Sequence, residues 1–176
     1  AQTLTSQIEV RADPRTPIDG AALAENLSFA LTLRAALERT RRGIELLRSV
    51  RVQAKDLGER LAKKPGAEAV IKATEKVIAD ADRIEGQLHN PEAKVVYDIL
   101  RGPKGAQLYS QLAPLYTWAQ DSDYAPTPAM RARFAELEAE LEVRESAIAA
   151  MQTGSIRELE NAVAEAKLPR LILPAQ

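Results

Sequence analysis

The feature that most constrains this chain is an apolar stripe running from Asp19 to about Lys63. Leu23, Leu27, Ala30, Leu33, Leu37, Thr40, Ile44, Leu47, Val50, Ala54, Leu57 and Leu61 recur at steps of three and four. That spacing lays them along one face of a helix. With the usual helical rise, such a helix is on the order of 65 Å long. A helix with so narrow a stripe is not stable alone in water, so other segments must cover it. Asp19 suits the N-cap, with Ile18 placed to staple onto Leu23. Lys63-Lys64-Pro65-Gly66 closes the far end with cations and then a breaker pair.

Further seams supply the cover. Val70, Thr74, Val77, Ala81, Ile84 and Leu88 form a heptad pattern within a second helix, about Ala67–Leu88, stopped by Asn90-Pro91. Residues 92–105 are the least regular stretch and read as a crossover packed on the bundle. A third helix, about Ala106–Gln120, turns Leu108, Leu112, Leu115 and Ala119 inward; Pro114 should kink it. Thr127 caps a fourth helix with Pro128 at its first position. Its seam is Met130, Phe134, Leu137, Leu141, Arg144, Ile148 and Met151. Gly154-Ser155 reads as an interruption, and Ser155 with Glu158 as a capping box for a short extra C-terminal helix ending near Lys167. The expected fold class is all-α: an antiparallel four-helix-type bundle built on one very long first helix. Arginines of the first helix and Glu136, Glu138, Glu140, Glu142 and Glu145 of the fourth predict that these two pack side by side.

Residues 3–12 break this pattern. Leu4, Ser6, Ile8 and Val10 alternate with Thr5, Gln7, Glu9 and Arg11, the period of a half-buried strand. No second strand follows, so its partner sheet should belong to another domain or chain. The expected organisation is residues 1–18 as N-terminal strand and linker, and residues 19–176 as the helical domain.

The inventory of chemical groups excludes most reactions. The chain has no cysteine, which removes disulfides, thiolate zinc sites and thiol nucleophiles. It has one histidine, His89, at the end of the second helix, where a cation completing the negative helix end is expected rather than a ligand. A di-metal bundle site needs two Glu-x-x-His pairs and inward carboxylates, and no seam position carries one. Met130 and Met151 sit at core positions rather than as haem ligands. Asp121-Ser122-Asp123 lacks the glycine and distant glutamate of a calcium loop. Gly102-Pro103-Lys104-Gly105 follows no strand and is not a phosphate cradle. The glutamates of the fourth helix read as a solvated face, so neither catalytic residues nor cofactors are expected. A net charge of −1 argues against a nucleic-acid surface. No apolar run is long enough to span a bilayer. A ligand carrier would need an inner cavity, for which the large aliphatic seams leave no room.

Three features stand apart from packing. Arg39-Arg41-Arg42 are candidates for an anionic partner or for ion pairs flanking the seam. Tyr97, Tyr109, Tyr116, Trp118 and Tyr124 gather every Tyr and Trp in one third of the chain, as core packing or a docking face. An apolar Leu171-Ile172-Leu173 tail after Leu168-Pro169 needs a surface to rest on. The candidate partner-binding residues are therefore Leu4, Ile8, Val10, Tyr97, Tyr109, Tyr116, Trp118, Tyr124, Leu171, Ile172 and Leu173.

The order of several motifs resembles a known module. A strand ending in Asp13-Pro14-Arg15 and a long Leu/Arg-rich helix come first, then Leu112-Ala113-Pro114-Leu115-Tyr116. Asp123-Tyr124-Ala125-Pro126-Thr127, Arg133-Phe134-Ala135-Glu136-Leu137 and Leu168-Pro169 follow. This is similar to the C-terminal helical region of bacterial sortilin-like, BNR-repeat glycosyl-hydrolase-like exported proteins. The resemblance implies an exported location and an N-terminal strand bordering a β-domain. Any carbohydrate-active residues of that family would lie in propeller blades, which this chain does not contain. Ala1-Gln2 also fits the end left by signal peptidase. The expectation is a non-catalytic structural and protein-interaction module, periplasmic or secreted, docking onto other subunits or upstream β-domains. The alternative is a domain cut from a BNR-repeat glycoside hydrolase.

Overall fold

The Asp19 carboxylate accepts the Ala21 amide at 3.1 Å and opens α1 (Gly20–Leu61), a helix of 42 residues. The computed structural model describes residues 3–9, 11, 15, 19–90 and 105–166. After α1 the chain reverses at Pro65-Gly66, where the Lys64 carbonyl accepts the Ala67 amide at 3.3 Å. Gly66 has a φ of 79°, the left-handed value that the third position of a type II turn demands. Then α2 (Glu68–Leu88) returns along α1. Thr74 lies against Gly58, Asp82 accepts from Arg51 at 2.7 Å, and Leu88 reaches Gly43.

α3 (Leu108–Gln120) takes the same direction as α2, farther along α1. Tyr109 shares a cleft with Ile44 and Arg48, and the Asn26 amide donates to the Ala119 carbonyl at 2.8 Å. Thr127 Oγ1 accepts the Met130 amide at 3.2 Å and starts α4 (Pro128–Met151). A π turn (Gln152–Ile156) joins it without a break to α5 (Arg157–Glu165). This continuous rod runs parallel to α1. Phe134 stacks edge-on against Phe29, Arg131 pairs with Glu25, and Glu145 takes Arg39. Lys76 of α2 donates to Glu158 at the α5 end.

Among the described residues the fold is all-helical, with four helices packed together, as the seams imply. Its cross-section is three rods rather than a side-by-side quartet. Neither α2 (21 residues) nor α3 (13 residues) spans α1 alone, and laid end to end they do.

The core follows the heptads closely from Leu33 onward. Leu33, Leu47, Val70, Ile84, Leu112, Leu137 and Leu159 are fully buried, each contributing about 1.5–3 kcal/mol relative to exposure. The first turns of α1 depart from the expected stripe. Asn26 and Phe29 face inward, and Leu27 is 61 % exposed. The cause is local: Asn26 hydrogen-bonds the end of α3, and Phe29 has Phe134 and the Arg131 guanidinium against its ring.

One expectation is not shown among the described residues, and another is corrected. Residues 3–9 form no strand, and Leu4 and Ile8 are 93 % and 87 % exposed. A strand exists through its ladder, and no described segment offers one. The expected break and capping box at Gly154-Ser155 are replaced. Ser155 is buried, no side chain caps α5, and the helix passes through the π turn. Met151, Ser155, Leu159 and Val163 are inward at three successive steps of four. A straight α-helix drifts roughly 40° at each such step, and the wider π turn absorbs the drift. α3 runs through Pro114.

Candidate functional site

Arg39, Arg42 and Leu46 follow one another at three- and four-residue steps along one flank of α1, facing α4. Arg39 is locked there. Its Nε donates to Glu145 at 2.8 Å, one terminal nitrogen donates to the other Glu145 oxygen at 2.5 Å, and the second reaches Glu138. Glu145 and then Glu138 raise the guanidinium's pKa. Arg39 in turn holds the Glu145 carboxyl below its usual range, outweighing the opposing effect of burial. The two glutamates are seven residues apart, on one face beside Leu141, so they are not part of a solvated run. This clamp fixes α1 against α4.

An open groove of about 750 Å³ lies between α1 and α4, with Gly43, Leu46, Ile148 and Ala149 as its apolar floor. Arg39, Arg42, Glu45, Ser49, Glu145 and Gln152 supply polar groups around it. Gly43 marks the close approach: a Cβ there would meet Ile148 Cδ1 at 3.1 Å and Leu88 Cδ1 at 3.6 Å. The groove lies on the surface.

The opposite flank of α1 borders a smaller cleft of about 240 Å³, lined by Arg41, Ile44, Glu45, Arg48, His89 and Tyr109. Below it lies an inward carboxylate that seam reading missed. Glu85 is buried, and accepts from Arg48 Nε at 2.6 Å and from Arg51 at 2.7 Å. Its signal was its place between Ile84 and Leu88, opposite two arginines. His89 does close α2, its amide donating to the Glu85 carbonyl at 2.8 Å. Burial first, then the Arg48 charge, lower its pKa against a weaker pull from Glu85. The ring packs edge-on against Tyr109 with centroids 5.9 Å apart.

The candidate docking residues separate. Leu4 and Ile8 are exposed on the N-terminal segment. Tyr109 and Tyr116 share a face of α3, where Tyr116 packs against the core and Tyr109 borders the smaller cleft. Trp118 and Tyr124 are 60 % and 61 % exposed. Trp118 is two residues beyond Tyr116, roughly 200° around the helix, so the aromatics do not form one face. Val10, Tyr97, Leu171, Ile172 and Leu173 lie outside the described residues. Among the described residues, no three His, Cys, Asp or Glu side chains gather as metal ligands. No described helix is long and apolar enough to cross a membrane.

Among the described residues, fold and site together define an all-helical bundle with an open groove along one seam. No family model, curated protein or solved structure matches the chain.

Proposed function

We propose that this chain is a non-catalytic structural and protein-interaction module that docks onto a larger extracytoplasmic assembly. The observation that carries the reading is the N-terminal segment. Leu4 and Ile8 are 93 % and 87 % exposed on a period-2 pattern, and their backbone has no ladder within the described chain. An edge strand of a partner sheet would supply the missing hydrogen bonds and cover both side chains, by strand addition. Exposed Trp118 and Tyr124 add anchors of the type that dominate interfaces. On the resemblance of the motifs, the partner sheet belongs to β-rich domains of the BNR-repeat class, in the periplasm or outside the cell.

Native purification followed by hydrogen exchange tests the reading. The amides of residues 3–9 should be protected in the assembly and exchange freely in the isolated chain. A partner-free monomer from the native source, with those amides unprotected, refutes it. Asp-box repeats encoded immediately upstream in the same reading frame would identify the β-domains as covalently attached.

A further inference from the structure

The groove between α1 and α4 has a chemistry that strand addition does not use. Arg39 is matched by Glu138 and Glu145, and Glu45 takes the Arg41 guanidinium across α1. Arg42 differs. Its ion pair with Glu38 is 3.7 Å long, and its side chain is 62 % exposed. The groove therefore presents one cation with free donors beside an apolar floor of Leu46, Ile148 and Ala149.

Two features show that the chain shapes this space. Gly43 admits Ile148 Cδ1 and Leu88 Cδ1 close against α1, at a helix-interior position where glycine is disfavoured, and so sets where the floor lies. At the far end, Gln152 reaches the rim from the first residue of the π turn, and single π turns gather at functional sites. The groove volume of about 750 Å³ is that of a small-molecule site.

We infer that the groove binds a small amphipathic carboxylate, its head on Arg42 and its apolar body along Leu46, Ile148 and Ala149. The inference is independent of residues 3–9. Calorimetric titration of the full chain with sub-micellar decanoate tests it, with decanol as the neutral twin of equal length. Decanoate should bind at one site, about fivefold tighter than decanol, the preference expected for one exposed ion pair. Arg42→Gln should abolish that preference and leave decanol binding unchanged. Ala149→Trp, at an exposed α4 position, should block both ligands while thermal melting shows the fold intact. Absence of decanoate binding, equal binding of the two ligands, or binding that survives Ala149→Trp overturns the inference.

Discussion

Gly43 and Gly58 both lie inside α1, and Ala at the two positions should change stability in opposite directions. In a helix interior Ala is favoured over Gly by about 1 kcal/mol, and that gain is common to both. The opposing contact is nominally the same, since each new Cβ would find its nearest heavy atom at 3.1 Å. What differs is whether the neighbour can move. At Gly43 the neighbour is Ile148 Cδ1, the tip of a side chain that lines the open groove and can swing into it. Leu88 Cδ1 at 3.6 Å adds ordinary van der Waals contact. Gly43→Ala should therefore retain most of the gain, about 0.5–1 kcal/mol. At Gly58 the neighbour is Thr74 Oγ1, with Thr74 Cβ behind it at 3.9 Å. Thr74 is 2 % exposed, and its hydroxyl donates to the Ile71 carbonyl at 2.6 Å. Moving it breaks that bond and leaves a buried hydroxyl unpaired, at about 1–3 kcal/mol. Gly58→Ala should thus be destabilising by about 1 kcal/mol net. Urea denaturation at constant slope reads both values. Gly58→Ala as stable as Gly43→Ala, or more so, would refute the reasoning.

Three other perturbations have defined outcomes. Glu85→Ala removes two charge-assisted hydrogen bonds, but Arg48 and Arg51 are 47 % and 32 % exposed and can rehydrate. The loss should be about 2 kcal/mol in urea denaturation rather than the larger cost of stranding a buried charge. Asn26→Ala withdraws the donor from the Ala119 and Ser122 carbonyls. It should cost about 2 kcal/mol and speed amide exchange at the α3–α4 turn. The folded His89 pKa is lowered, so the unfolded chain takes up that proton first as pH falls. Stability should therefore drop on acidification from below the ordinary histidine value of 6.5 down through the lowered folded value. His89→Gln should flatten that part of the stability-versus-pH curve, and an unchanged slope would contradict the burial assignment.

The helices were legible because each repeats its burial pattern over several turns. Leu33 to Leu61, Val70 to Leu88 and Leu108 to Ala119 are inward largely as their spacing demands. Thr127 and Asp19 cap their helices through the side chains that named them. What escaped depends on partners distant in sequence. Asn26 turns inward because two carbonyls at the end of α3 await a donor, and no periodicity in α1 records that. Glu85 is tolerated inside because Arg48 and Arg51 arrive from another helix. The π turn had a visible trace, the successive four-residue steps from Met151 to Val163, which Gly154-Ser155 masked by resembling a break. The groove had none, since its lining is brought together from α1 and from α4 and the π turn, about a hundred residues apart in sequence.

The end-to-end placement of α2 and α3 moves attention from the ends of the long helix to its middle. α2 ends at Leu88 and α3 begins at Leu108, both beside α1 residues Gly43 to Arg48. α1 and the α4–α5 rod both run past this level unbroken. The Arg39 clamp lies on one side of that level, and the salt bridges of Glu85 on the other. Between them Gly43 touches both remaining rods, and α1 opens a cleft on each flank, with Glu45 lining both. Ion pairs fix the rods against one another, and the missing side chain of Gly43 lets Ile148 and Leu88 pack close beside the groove. Gly43→Ala should thus stabilise α1 while driving Ile148 into the groove that it lines.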